Sequence, residues 1–338
     1  LGDGTWTTRA APVRVQGISD AVEVIAGTRH SCARRASGEV MCWGDDTFGQ
    51  LGQPGVPVGE SRDEHGMGPP PAPVAERSRP SPVMVAGLSG ARQLVAQGSY
   101  TCALQDAGVL RCWHGEGAAA LAEPLQLPAD TVEVGMGAVH NCARRSTGEV
   151  VCWGLNFYGR IGDGTRVDRP RPTAVKGLGD ATGLALGLLH SCALRQGGRV
   201  ACWGSGFGGR LGDGNEEERA TIVAVQGLAD AIAVVAGEDH GCALRSGGEV
   251  VCWGSNGEGA LGDGSEHTRL VPGPVIGLAP ATAVAAGEQH SCALLRSPAE
   301  VVCWGRDLRA LDSPRSWDVA RAPATISGLS GQSGGSRQ

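Results

Sequence analysis

Lysine and aromatic side chains are scarce in this chain. Lys176 is its one lysine, and aromatics make up only 4% of its residues. The other basic groups are arginines, and the formal charge is -6 with a pI near 5.8. That balance offers no basic surface to a phosphate backbone, so nucleic acid is excluded as an expected partner. No stretch of 18 or more apolar residues occurs, which excludes a transmembrane helix from this stretch. No Ser-His-Asp order, phosphate-cradling glycine loop or paired-carboxylate signature stands out, so neither catalysis nor a cofactor is expected. Glycine and proline, by contrast, number 55 and 19 among 338 residues. Such a composition suits short strands joined by tight turns rather than long helices.

All twelve cysteines fall into six pairs: Cys32 and Cys42, Cys102 and Cys112, Cys142 and Cys152, Cys192 and Cys202, Cys242 and Cys252, Cys292 and Cys303. From Cys142 to Cys192, Cys242 and Cys292 the step is fifty residues each time. Fixed-period repetition means an array of one supersecondary unit, which can exceed ordinary domain size as a single body. A half-repeat over 1–17 precedes repeats at approximately 18–88, 89–128, 129–178, 179–228, 229–278 and 279–329. Residues 53–80 form an insertion, and 330–338 a flexible tail. The chain opens at Leu1 in mid-repeat, which fits a removed signal peptide or a piece of a longer reading frame.

Each repeat contains four phrases. A small apolar run ends in Gly, as in Val22 to Gly27 and Ile232 to Gly237. His-x-Cys-Ala follows, then Gly-Glu-Val-x-Cys-Trp-Gly, as at His240 to Ala243 and Gly248 to Gly254. Last come Leu-Gly-Asp-Gly, a polar loop and a Pro-Val-x-Val-x-Gly strand, as at Pro82 to Gly87. Four strands per unit are predicted. In an antiparallel hairpin facing residues have a constant index sum, so Cys32 opposite Cys42 puts Arg35 opposite Glu39 and leaves Ala36, Ser37 and Gly38 as a three-residue loop. Its last position favours a left-handed residue, and Gly108, Gly148, Gly198 and Gly248 recur there. In the sixth repeat, Leu295 still faces Glu300 across a loop one residue longer.

Facing side chains of such a pair are close enough for six cross-strand disulfides, which favour an oxidising compartment: extracellular, cell-surface or periplasmic. Zinc is the rival, with His30, Cys32 and Cys42 on one face. A closed structural site needs four ligands, however, and the second repeat has Tyr100 in place of the His. Free thiols are the third alternative.

The phrases His190 to Leu194, Gly198 to Gly204, Leu211 to Gly214 and Phe48 to Gly52 resemble repeats of the regulator of chromosome condensation family. The similarity runs through nearly the whole chain outside 53–80 and the tail. It implies an all-β fold, a β-propeller of four-stranded antiparallel blades. Either six blades close, or the chain is part of a seven-bladed parent. The paired cysteines resemble the disulfide-bearing secreted bacterial type. In this family, nuclear members exchange nucleotides on a small GTPase, and a secreted bacterial member covers the active site of β-lactamase. The resemblance thus implies a non-catalytic scaffold that binds a protein or other macromolecule through one face. A regulator of a small GTPase and an adhesive segment of a larger surface protein are the alternatives.

Repeated residues are expected to serve the scaffold, because a catalytic site needs different groups converging on one point. His30, His140, His190, His240 and His290 are therefore read as bonding a backbone carbonyl in a turn, and Asp163, Asp213 and Asp263 as accepting backbone N–H groups. Trp43, Trp113, Trp153, Trp203, Trp253 and Trp304 are expected to pack between blades. Residues that break the repeat are the binding candidates. Arg62, Asp63, Glu64 and His65 lie in the insertion, and His114 replaces the Gly after Trp113. Phe48, Phe157, Tyr158 and Phe207 follow the Trp-Gly phrase and suit an exposed patch for a protein partner.

Overall fold

In the computed structural model, which describes residues 1–7, 9, 12–53, 78–113, 124–306 and 319–325, the repeated phrases become strands. The first blade comprises β1 (Ala21–Ala26), β2 (His30–Arg35), β3 (Val40–Gly44) and β4 (Arg79–Met84). The second comprises β5 (Ala91–Gln97), β6 (Tyr100–Gln105), β7 (Val109–Trp113) and β8 (Leu125–Gln126). The third comprises β9 (Thr131–Met136), β10 (His140–Arg145), β11 (Val150–Gly154) and β12 (Arg169–Ala174), and the fourth β13 (Ala181–Leu186), β14 (His190–Arg195), β15 (Arg199–Gly204) and β16 (Arg219–Ala229). The fifth comprises β17 (Ala231–Ala236), β18 (His240–Arg245), β19 (Val250–Gly254) and β20 (Arg269–Pro274), and the sixth β21 (Ala281–Ala286), β22 (His290–Leu295), β23 (Val301–Arg306) and β24 (Val319–Thr325). Every sheet is an antiparallel meander in chain order. Six such four-stranded sheets are the blades of a β-propeller.

Two compact units divide the chain. One spans Leu1–Thr8 and Val13–Val134, the other Arg9–Pro12 and Gly135–Gln338. The first therefore holds the first two blades; the second holds blades four to six and, apart from the start of β9, blade three.

Cys32 is registered opposite Cys42, and Arg35 N–H donates to Glu39 O. Counting from that hydrogen-bonded pair, Cys32 and Cys42 occupy a non-hydrogen-bonded position, where side chains approach most closely. All six pairs are disulfide-bonded with Cα atoms 4.0–4.1 Å apart. Gly38 has φ +82, the left-handed conformation that the hairpin requires. In the sixth repeat, Leu295 N–H still donates to Glu300 O.

Two local features differ from the sequence reading. The fourth strand begins at Arg79, before its Pro-Val phrase, and ends at Met84; Val85 N–H still donates to Val40 O of β3, and Ala86 and Gly87 form a turn. Between β6 and β7, and between β14 and β15, the loop tightens into a single 3-10 turn with Ala107 and Gly197 at positive φ.

Blades within each unit stack by a repeated contact. In the first, Cys32 and Cys42 share a core with Leu51, Val85 and Trp113 of the next blade. In the second, the disulfides of the third, fourth and fifth blades share cores with Trp203, Trp253 and Trp304, respectively. Each of these indoles donates to a carbonyl in the preceding blade: Trp113 to Gln50, Trp203 to Arg160, Trp253 to Arg210 and Trp304 to Ala260, at 2.8–3.0 Å. The glycine of each Leu-Gly phrase leaves room for the ring; a Cβ on Gly212 would lie 3.0 Å from Trp253. The half-repeat supplies the same surface, because a Cβ on Gly2 would lie 2.9 Å from Trp43 Nε1.

Candidate functional site

Strand alternation sends the turns after the first and third strands of a blade to the same edge. In the second unit this edge carries the turns at 137–139, 187–189 and 237–239, and those at 155–168, 205–218 and 255–268. Phe157 and Tyr158 of the third blade and Phe207 of the fourth sit in 3-10 turns there. They are 50%, 43% and 72% exposed. Phe48 occupies the matching turn of the first unit, half exposed, its N–H held by Gln50 Oε1 at 2.8 Å. Arg62, Asp63, Glu64, His65 and His114 lie outside the described residues.

The turns are held from within. Asn156 is buried; its Nδ2 donates to Thr165 O and Val167 O at 3.1 and 3.0 Å, while its Oδ1 accepts from Ile161 N at 2.9 Å. Asn256 repeats the arrangement with Ser265 O and Leu261 N. Asp163 accepts the N–H and hydroxyl of Thr165 and pairs with Arg169, as Asp263 does with Ser265 and Arg269. Burial raises both carboxyl pKa values, but these hydrogen bonds and the arginines outweigh it and leave both below the ordinary value. Asp213 accepts from Asn215 N and pairs with Arg219. Such a frame holds exposed rings at low entropic cost, which is what a binding surface needs. Phe157 and Tyr158 meet edge to face, centroids 6.4 Å apart.

Two arginines missed by the sequence reading lie beneath these rings. Arg160 and Arg210 are buried, and each donates through Nε to the carbonyl of the aromatic three residues earlier, Phe157 and Phe207. Arg160 Cζ lies 4.8 Å from the Phe157 ring centroid, and Arg210 Cζ 5.9 Å from that of Phe207. Their recurrence fifty residues apart, each three residues after an aromatic, was the available signal.

Three of the repeated histidines have a partner other than the expected carbonyl. His30 Nε2 pairs with Thr101 Oγ1 at 2.6 Å, His140 with Ser191 Oγ at 2.7 Å, and His240 with Ser291 Oγ at 2.8 Å. Each hydroxyl belongs to the next blade's second strand, so the imidazole ties blade to blade. Burial disfavours the charged ring and lowers the pKa of His30 to about 4, of His140 to about 3 and of His240 to about 4. Among the described residues no three His, Cys, Asp or Glu side chains are grouped to hold a metal ion, and no described helix is long and apolar enough to cross a membrane.

Known proteins share this repeat. The regulator of chromosome condensation (RCC1) repeat matches residues 147–194 and 247–294, and a second profile of the same repeat matches 22–50, 132–160 and 231–260. The chain is 29% identical over 194 residues to the human E3 ubiquitin-protein ligase HERC2, an alignment that takes in 53% of this chain and 4% of that protein. To the ultraviolet-B receptor UVR8 of Arabidopsis thaliana it is 33% identical over 196 residues, 53% of this chain and 40% of the receptor. It therefore spans less than half the length of either relative. Prp20p of Saccharomyces cerevisiae, described for its binding to Gsp1p and histones, superposes with a TM-score of 0.71 at 18% identity, over 91% of this chain and 77% of that one. Six four-stranded blades are built from these phrases, and in the matched segments the chain carries the regulator of chromosome condensation (RCC1) repeat.

Proposed function

We propose that this protein is a disulfide-braced scaffold that binds a protein partner through the turn-bearing edge of its third and fourth blades, without catalysis of its own. The observation that carries the reading is the trio Phe157, Tyr158 and Phe207, exposed on turns held by Asn156 in the third blade and by Arg210 Nε on the Phe207 carbonyl in the fourth. Large rigid rings presented to solvent are the side chains that dominate protein interfaces. Prp20p, whose fold this chain shares, binds proteins. Six disulfides and no free cysteine support an oxidising location, at the cell surface, in the periplasm or outside the cell.

Affinity capture with the oxidised protein tests the reading. Partners held by the wild type are expected to be lost with the triple substitution Phe157→Ala, Tyr158→Ala and Phe207→Ala, and retained when residues 54–77, which precede buried Ser78 and β4, are deleted. Retention by the triple variant together with loss on deletion would move the site to the insertion.

A further inference from the structure

The third and fourth blades carry the same device with one difference. Arg210 Nη1 lies 2.9 Å from Asp239 Oδ1, in the turn between β17 and β18 of the following blade, an ion pair whose geometry makes no hydrogen bond at either atom. Fifty residues before Asp239 the chain has Leu189. The backbone frame is the same, since Ser205 N–H donates to Leu189 O as Ser255 N–H donates to Asp239 O. The position that gives Arg210 its carboxylate is thus aliphatic in the repeat that matches Arg160. Arg160 is completely buried, and its Nη1 and Nη2 have no hydrogen-bond partner among the described residues. Asp168 acts on this guanidinium only through space, its Oδ1 accepting the Asn156 N–H at 2.7 Å.

A guanidinium cannot shed its charge, and a buried one without a carboxylate is costly. The Phe157 and Tyr158 rings offer cation–π attraction, at 4.8 and 5.8 Å from Cζ, but ring faces leave the terminal N–H donors unsatisfied. These half-exposed rings lie over Arg160, so they are a cover that would have to swing aside. Around them Val139 and Leu155 are exposed and apolar. Glu238 and Asp239 of the fifth blade follow on the same edge, which disfavours a multiply charged phosphate and tolerates one carboxylate.

We propose that Arg160 anchors a docking site for a glutamate or aspartate side chain, flanked by apolar residues, of a partner protein. That carboxylate takes the place at Arg160 that Asp239 takes at Arg210, beside Leu189 and under the displaced Phe157 and Tyr158 rings. The proposal rests on the protein-binding reading above and names the chemistry the partner brings.

The test uses fluorescein-labelled, capped hexapeptides with one central Glu between leucines, and the same peptides with Gln, titrated onto the oxidised full chain. The Glu peptides are expected to bind at least tenfold more tightly than the Gln peptides. Leu189→Asp supplies the carboxylate from within the chain, so it is expected to raise Tm and to abolish that preference. Arg160→Gln keeps the shape without the charge and is expected to stay folded and to bind both peptides equally weakly. Equal binding of the two peptides to the wild type, or an undiminished preference in Leu189→Asp or Arg160→Gln, overturns the proposal. If the aromatic triple variant loses captured partners while Leu189→Asp keeps them, the carboxylate site falls and the broader reading stands.

Discussion

At the scale of the residue, the repeat is informative where it fails. His190 has both ring nitrogens without a partner among the described residues, and the residue fifty after Ser191, whose hydroxyl serves His140, is Gly241. Restoring the hydroxyl with Gly241→Ser does not repair the bond, because a Cβ there would lie 2.6 Å from Cζ2 of the fully buried Trp253. That substitution is expected to lower Tm, although it brings the position closer to its siblings. Ser291→Ala removes the partner of His240 and a donor to Ala260 O, and is expected to cost about 1–3 kcal/mol in urea unfolding. The sequence reading assigned these imidazoles to backbone carbonyls in their own turns. The hydroxyls that receive them are fifty or more residues away, and no local pattern names them.

At the scale of the element, the hairpin of second and third strands is the unit that the cysteines secure. Its loop, its glycine and its disulfide were all legible from the constant index sum, since antiparallel pairing leaves no freedom once two facing residues are known. Closing a loop of about eleven residues stabilises by roughly 3 kcal/mol through unfolded-state entropy. Replacing Cys242 and Cys252 together by Ala is therefore expected to lower stability by about 2–4 kcal/mol, with hydrogen exchange rising first in β18 and β19. The turns after the third strand were less legible. Their aromatics were visible as departures from the repeat, but the arginines beneath them were left without a role. Only the fold of the 3-10 turn, which returns Nε to the carbonyl three residues back, buries them.

At the scale of the whole molecule, the buried imidazoles make stability depend on pH. In the unfolded chain they titrate near 6.5, while in the folded protein burial holds His30 near 4, His140 near 3 and His240 near 4. Above about pH 7 both states are neutral at these groups and nothing is lost. As pH falls below 6.5 the unfolded chain takes up protons that the folded protein refuses, so each histidine withdraws about 1.4 kcal/mol per pH unit until its folded pKa is reached. Urea midpoints measured from pH 7.5 to 4 are expected to be flat at first and then to fall steeply below about 6.5. A profile that stays flat to pH 5 would mean that the histidines are solvated. Asp163 and Asp263, held below the ordinary value, add their own loss only at lower pH. The sequence alone determined what periodicity and pairing rules control: four strands to a repeat, six facing cysteine pairs, the left-handed glycines and indoles packed between blades. These depend on residues within one unit or at a fixed offset. Which groups meet across blades was decided by tertiary structure alone. Thr101 for His30, Gln50 O for Trp113, and Asp239 for Arg210 are joined by how neighbouring sheets stack. That stacking also put a carboxylate beside Arg210 and a leucine at the matching place beside Arg160, a difference that a list of repeats read one at a time does not show.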